Sequence, residues 1–227
     1  MFVIFVIPLM HATNPTRRQW RLGARADLAS EPTGRNRQSP WQPWKDVMNT
    51  ELSQTTHATN GGVLRSRTVT WQGPEAVVRK GSAMSGLDSL LAMKSGALPK
   101  PPFADLMQFD IVSAEPGRVV FTGQPDESMY NAAGVIHGGV VGMLLDTVAG
   151  CALQTTLPVG TGYTSVEIKV NYVRTIQLSS GLLTATGTVL RAGRRVGFTE
   201  GVVTDASGAV VATASSTLLL VDNFKRS

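Results

Sequence analysis

The stretch "NAAGVIHGGVVGMLLDTVAG", residues 131–150, decides the fold of this chain because it places a single aspartate in a long apolar run. Between Ser128 and Val166, Asp146 is the only residue with a formal charge. Apolar residues fall on nearly every face of residues 140–153, and this pattern predicts a helix that is buried on all sides. Burying an unpaired carboxylate costs several kcal/mol. Asp146 is therefore either paired inside a core or kept as a reactive group.

The glycines around Asp146 favour a reactive group. Gly142, Asp146 and Gly150 follow one another at four-residue spacing, so they lie on one face of the predicted helix. Each glycine costs roughly 1 kcal/mol of helix stability relative to alanine. Bare positions before and after the carboxylate leave room for a ligand or a partner backbone, although close helix packing also accounts for them. In the alternative interpretation, neighbours such as Thr147 satisfy a structural Asp146.

The start of the predicted helix offers a second polar element. Gly138 and Gly139 expose backbone N–H groups at the positive end of the helix dipole, where negative charge on a carbonyl oxygen is stabilised. A glycine pair after a lone histidine, His137, is equally typical of an ordinary strand-to-helix turn. At about 1.5 Å of rise per residue, Gly138 and Asp146 lie roughly 12 Å apart. This separation favours a dimer in which the helix start of one chain meets Asp146 of the other.

The segments around this helix predict strands. Residues 109–125 form two apolar runs joined at Glu115-Pro116-Gly117, and residues 163–174 alternate between apolar and polar side chains. Residues 181–221 predict three more strands with short turns near 192–193 and 205–208. Short turns require antiparallel neighbours. The expected fold is α+β, with an antiparallel sheet wrapped around one long apolar helix.

The chain divides into three predicted parts. Residues 1–67 are rich in Arg, Pro, Ser and Gly and predict a disordered basic extension. Residues 68–104 predict a helical lead-in, which contains a short helix that Ser85 caps and Gly96 ends. Residues 105–222 predict the core domain.

The charge distribution argues against nucleic-acid binding. The whole chain carries a net charge of +5, but residues 1–80 hold eleven Lys and Arg against five Asp and Glu. Residues 81–227 hold ten against eleven. The core domain therefore lacks the basic surface that a phosphate backbone requires.

Missing sequence features disfavour membrane-spanning, secreted and metal-binding proteins, and also serine hydrolases and proteins with a phosphate-binding loop. The apolar residues 1–10 are too few to span a bilayer and lack the flanks of a signal peptide. The lone Cys151 predicts no disulfide, and we expect a reducing, cytoplasmic location. The three histidines lie far apart, so we expect no metal site and no cofactor. Neither a G-x-S-x-G elbow nor a glycine-rich phosphate loop is present.

The spacing from Asn131 through His137-Gly138-Gly139 to Asp146 resembles the PaaI-type hotdog-fold acyl-CoA thioesterases. The strand that carries Ser165, the later hairpin "AGRRVGFTEGVVTD" and the lead-in helix also resemble this family. The likeness covers about residues 68–222. It implies a five- or six-stranded antiparallel sheet around a central helix, and homodimers or homotetramers with active sites between subunits.

The resemblance also implies a reaction, which is hydrolysis of an aryl- or fatty-acyl-CoA to free acid and CoA. The Gly138 N–H would polarise the thioester carbonyl, and Asp146 would act as general base on water or as nucleophile. Asn131 would orient water or the thioester, and His137 would hold the loop. Ser165 would position water or Asp146.

Binding residues implied by the resemblance are Gly139 at the helix start and three candidates for CoA phosphate contacts, Arg174, Arg194 and Arg195. For the arginine pair in the hairpin, a solvated turn is an equal alternative. The rival function is a non-catalytic acyl-CoA-binding or regulatory module on the same fold. A hotdog dehydratase would need a histidine and an acid at a different spacing, and the sequence has no such pair.

Simple alternation gives one conflict with this reading. Val166 and Ile168 lie on one face of the predicted strand, so Ser165 would lie on the other and point away from the helix. A β-bulge, the strand end or approach from a partner subunit would reconcile the two.

Overall fold

The computed structural model describes residues 63–222. The predicted basic extension, residues 1–67, lies outside the described residues except for 63–67. Within the described range no helix is both long and apolar enough to cross a membrane.

The core is a six-stranded sheet in which every neighbouring pair is antiparallel. The strands are β1 Phe109–Glu115, β2 Arg118–Gly123, β3 Thr161–Tyr172, β4 Leu183–Ala192, β5 Val196–Thr204 and β6 Val210–Asp222. Their order in the sheet is β1-β2-β4-β5-β6-β3. The predicted turns are confirmed, and β3 forms one edge of the sheet.

Four α-helices accompany the sheet within residues 63–222: α1 Pro74–Gly81, α2 Gly86–Ser95, α3 Pro102–Met107 and α4 Gly138–Gln154. The caps predicted for α2 are confirmed, since Ser85 accepts a hydrogen bond from the Asp88 N–H and Gly96 ends the helix with φ of 78°. The sequence patterns did not predict α1 or α3. Both begin at proline, which the first turn of a helix tolerates.

Helix α4 lies in the concave face of the sheet, as predicted, and packs against five of its strands, β2 to β6. Its leucines and valines are buried, and Leu144, Leu145 and Val148 are completely so. Strand glycines allow the close approach: a Cβ on Gly187 would lie 2.1 Å from the Val148 carbonyl oxygen. The hotdog arrangement of a sheet wrapped around one helix is therefore confirmed.

A β-bulge interrupts β3 and changes which side chains face α4. The pairing of β3 with β6 shifts register between Ser165 and Glu167, and the extra residue, Val166, is 64% exposed. The buried Ser216 hydroxyl donates to the Glu167 carbonyl oxygen at 2.8 Å and so satisfies the backbone beside the bulge. Past the bulge, Ile168 and Val170 pack against the core. The bulge thus exchanges the two faces of the strand.

Candidate active site

Asp146 and Ser165, which are nineteen positions apart in sequence, meet between α4 and β3. The Ser165 hydroxyl donates a 2.8 Å hydrogen bond to Asp146 Oδ1. Asp146 is half-buried and Ser165 is exposed, so the carboxylate lies at the protein surface where α4 meets β3. We call this line of contact between α4 and β3 the groove. The bulge at Val166 turns Ser165 toward the helix and removes the conflict with simple alternation.

The start of α4 is organised by His137, which is its N-cap residue. The Nδ1 atom of His137 accepts a 2.9 Å hydrogen bond from the Gly139 N–H, and the His137 N–H donates to the Met129 carbonyl at 2.9 Å. The Gly139 N–H, which we expected to face a substrate, is therefore bonded to the cap. No described residue accepts a hydrogen bond from the Gly138 N–H. That group is the backbone donor that remains available at this helix start.

Two tyrosines of β3 cover the glycine face of α4, which corrects the expectation of free space on both sides of Asp146. Tyr172 lies over Gly138 and Gly142, where added Cβ atoms would come within 3.1 and 3.4 Å of its side chain. Tyr163 occupies the position over Gly150, where a Cβ would lie 2.5 Å from its hydroxyl oxygen. The space that these glycines leave is thus filled by tyrosines of the same chain.

The two tyrosine hydroxyls differ in their partners. The Tyr172 hydroxyl donates to the Gly138 carbonyl oxygen at 3.0 Å, and its side chain is exposed. The Tyr163 hydroxyl is buried and has no hydrogen-bond partner in the described part of the chain. Burial, followed by the nearby Cys151 and Asp146, raises the pKa of Tyr163 well above its ordinary value. The Tyr163 hydroxyl is therefore neutral beside the carboxylate.

Asn131 lies in the loop that leads into α4. Its side-chain oxygen accepts from the Ala133 N–H at 2.9 Å and from the Val135 N–H at 3.4 Å, and its own N–H donates to the Val135 carbonyl. Asn131 therefore closes the turn before the helix, and its side-chain NH₂ group remains to contact a ligand.

The three candidate arginines lie at opposite ends of the sheet. Arg174 follows β3 and lines a pocket of about 280 Å³ together with Gly138 and Tyr172. Arg194 and Arg195 lie in the exposed turn between β4 and β5. Because β5 pairs with β6 and β6 pairs with β3, this turn lies level with the first residues of β3. At about 3.3 Å per residue, these two positions along β3 are roughly 30 Å apart. One chain alone does not bring all three to the same ligand.

Tyr163 and Tyr172 are the site residues that the sequence patterns missed. The available signal was the pairing of helix glycines with aromatic residues of the following strand. That pairing is visible only once the bulge is placed, because Tyr163 and Tyr172 lie on opposite faces of an unbroken strand. In the described range no group of three or more His, Cys, Asp or Glu residues is arranged to hold a metal ion.

Comparison with known proteins gives a family match. The thioesterase superfamily matches this chain over residues 133–212. The chain is 31% identical to human acyl-coenzyme A thioesterase 13 over 113 residues, which are 49% of this chain and 79% of the human protein.

Solved structures show the same fold. A phenylacetic acid degradation-related protein from Ralstonia eutropha JMP134 is 26% identical, with a TM-score of 0.53 over 57% of this chain and 98% of that protein. The PaaI protein of E. coli is 22% identical, with a TM-score of 0.53 over 60% of this chain and 97% of that protein. At that identity the second likeness concerns the fold alone.

Proposed function

The chain belongs to the thioesterase superfamily, and we propose that it hydrolyses the thioester bond of an acyl-CoA to a free acid and CoA. The observation that carries this proposal is the hydrogen bond from Ser165 Oγ to Asp146 Oδ1. It fixes the one carboxylate of an otherwise apolar helix at the edge of a groove. The name of the human relative states an acyl-CoA thioesterase activity for that protein.

The chemistry follows from the two oxygens of Asp146. Ser165 holds Oδ1, which leaves Oδ2 to remove a proton from water or to attack the thioester carbonyl itself. Either attack develops negative charge on the carbonyl oxygen. The Gly138 N–H, at the positive end of α4, is the donor that would stabilise that charge.

One chain does not bring these two groups together, because eight residues of helix separate Gly138 from Asp146 by roughly 12 Å. Strand β3 supplies the way to complete the site. It is an edge strand of 12 residues, and Val166 and Tyr172 are more than half exposed along it. A long edge strand with exposed apolar residues pairs readily with a second strand. We propose that two copies of this chain pair through β3.

The positions along β3 support antiparallel pairing about a two-fold axis near Ile168. On β3, Ser165 lies beside Asp146, to which it is hydrogen-bonded. Tyr172 lies beside Gly138, to which it is also hydrogen-bonded. When Ser165 of one subunit lies opposite Tyr172 of its partner, each Asp146 lies beside Gly138 of the partner subunit. The dimer then holds two complete sites.

The same pairing gathers the candidate arginines. Arg174 of the partner subunit would lie level with Tyr163, which is the level of Arg194 and Arg195 in this chain. All three would then be able to face one CoA phosphate group. Asn131 and His137 would hold the loop that presents the Gly138 N–H, and the Asn131 amide would be free to contact water or the thioester.

The first test is thiol release from a panel of aryl- and fatty-acyl-CoA substrates. We expect turnover of at least one substrate, and a fall of about 10² to 10⁴-fold in kcat for Asp146→Asn, the range for loss of a general base. Asp205→Asn, which changes a half-buried carboxylate in the β5–β6 turn, is the matched control. Saturable binding without turnover in the wild type would instead support the non-catalytic module.

Single-turnover hydrolysis in ¹⁸O-water separates the two roles of Asp146. A nucleophilic carboxylate attacks the thioester carbonyl, breaks the C–S bond and releases CoA as the thiol, which leaves an anhydride between Asp146 and the acyl group. Water that then attacks the Asp146 carbonyl of the anhydride leaves ¹⁸O in Asp146. General base catalysis places the label in the acid product alone. Mass spectrometry of the peptide that contains Asp146 detects the label, and ¹⁸O in Asp146 identifies the nucleophilic route.

Subunit complementation tests the shared site. Asp146→Asn and Gly138→Pro each remove one half of the catalytic pair, since proline lacks the N–H. The mixture should recover about a quarter of wild-type activity, because about half of the dimers are mixed and each mixed dimer holds one intact site of two. Two variants that remain inactive after mixing would place the whole site within one chain.

A further inference from the structure

Tyr163 separates the candidate catalytic carboxylate from a second cleft in the same chain. On one side its hydroxyl lies against Gly150, one helical turn after Asp146. On the other side the residue lines a cleft between the lead-in helices and the end of α4. We propose that Tyr163 is the end wall of the acyl pocket and limits the length of the acyl group. The inference rests on the proposed function, since it names the substrate class of that same site.

The contacts on the Asp146 side place Tyr163 directly next to the reacting groups. Ser165, the next residue of β3 that faces the helix, holds Asp146. Gly150 has no side chain, and the Tyr163 ring fills the resulting space so closely that even a methyl group would collide with it. An acyl group that extends from Asp146 toward the C-terminal end of α4 therefore meets this ring first.

The cleft beyond the ring has the character of an acyl-chain site. Its cavity volume is about 80 Å³, which is small for a ligand pocket and suits a short run of methylene groups. Its lining includes Val77, Met84 and Met93, together with Gln154 at the end of α4. Among the described lining residues none carries a charge. This cleft would accept a methylene chain if the wall were removed.

Helix geometry gives the expected limit. Gly150 lies one turn after Asp146, roughly 6 Å along the axis at 1.5 Å per residue. Since carbon–carbon bonds are about 1.5 Å long, an extended chain of about four or five carbons covers that distance. The wild-type site thus suits compact acyl groups, and the cleft behind Tyr163 is closed to them.

The hydroxyl of Tyr163 contributes nothing to this wall. It is buried and has no hydrogen-bond partner among the described residues, so the fold gains no bond from it. The ring alone is the barrier. Tyr163→Phe therefore keeps the wall, whereas Tyr163→Leu shortens it and retains an apolar side chain in the core. These two variants form a matched pair at one position.

The experiment measures binding of non-hydrolysable S-alkyl-CoA thioethers, from ethyl to dodecyl, by isothermal titration calorimetry. In the wild type and Tyr163→Phe we expect affinity to stop increasing beyond about four or five carbons. In Tyr163→Leu we expect it to continue rising by about three- to fourfold for each further methylene group buried. Circular dichroism confirms that each variant is folded.

Hydrolysis of the matching acyl-CoA series is followed in parallel. If the wild type hydrolyses no acyl-CoA while the thioether profiles shift as expected, the proposed function fails and the pocket assignment stands. Identical length profiles in the wild type and Tyr163→Leu overturn the assignment, whether or not hydrolysis occurs. Absence of any thioether binding to the wild type also overturns it.

Discussion

The two ends of the groove between α4 and β3 use the same pair of residue types with opposite results. At the helix start, Tyr172 lies over Gly138 and Gly142, is exposed, and bonds the Gly138 carbonyl. Toward the helix end, Tyr163 is fitted against Gly150 with its hydroxyl buried and unpaired. The first end keeps a backbone donor accessible, and the second is closed by a ring. Asp146 lies between them, so the proposed acyl pocket predicts a substrate that extends away from Tyr163.

The variant with the largest expected effect removes the β-bulge. This bulge lets both Tyr163 and Tyr172 face α4. Deleting Val166 restores unbroken alternation in β3, so either Tyr163 and Ser165 or the residues after them must turn away from α4. We expect loss of hydrolysis and a fall of several kcal/mol in the free energy of unfolding, measured by urea denaturation. Val166→Thr, which keeps a β-branched residue at this exposed position, should change stability by less than about 0.5 kcal/mol.

The bulge also marks where prediction from the sequence stopped. Apolar periodicity was sufficient for α4 and for the strands, and the short turns were sufficient for antiparallel neighbours, because each signal is local. The face on which Ser165 lies was not predictable by alternation, since the pattern of apolar residues does not show the inserted Val166. The contacts of Tyr163 with Gly150 and of Tyr172 with Gly138 depend on that insertion and on tertiary packing. Helix α1 was missed because its short segment after Pro74 lacks a sustained apolar period.

The next prediction concerns the hydrogen bond from Ser165 to Asp146, which lies between the two tyrosine contacts. Ser165→Ala removes the donor to Asp146 Oδ1 and leaves the carboxylate free to rotate. We expect kcat to fall by about tenfold to a hundredfold, which corresponds to roughly 1.4 to 2.7 kcal/mol of transition-state stabilisation. Ser165→Thr retains the hydroxyl and should recover most of the rate. Equal rates for Ser165→Ala and the wild type would remove Ser165 from the site.

Adding one methyl group at each end should separate the two tyrosine contacts. A Cβ at Gly150 would lie 2.5 Å from the Tyr163 hydroxyl, whereas a Cβ at Gly142 would lie 3.4 Å from the Tyr172 hydroxyl. We expect Gly150→Ala to destabilise the fold by about 1–2 kcal/mol through overpacking. Gly142→Ala should be neutral or stabilising by up to about 1 kcal/mol, because alanine favours the helix. Urea denaturation at one protein concentration measures both, and equal effects would mean that the two contacts are equally tight.

The smallest effects come from removing each tyrosine hydroxyl while keeping the ring. Tyr163→Phe deletes a buried oxygen that has no partner in the described structure, so we expect stability to rise by up to about 1 kcal/mol. Tyr172→Phe deletes the donor to the Gly138 carbonyl and should lower stability by about 0.5–1 kcal/mol. Thr199→Val is the matched control, because Thr199 Oγ1 is another buried, unpaired hydroxyl and lies outside the groove. A gain in Thr199→Val together with a loss in Tyr163→Phe would show that the Tyr163 hydroxyl has a partner in solution, and the contrast between the two ends would then lie in the ring contacts alone.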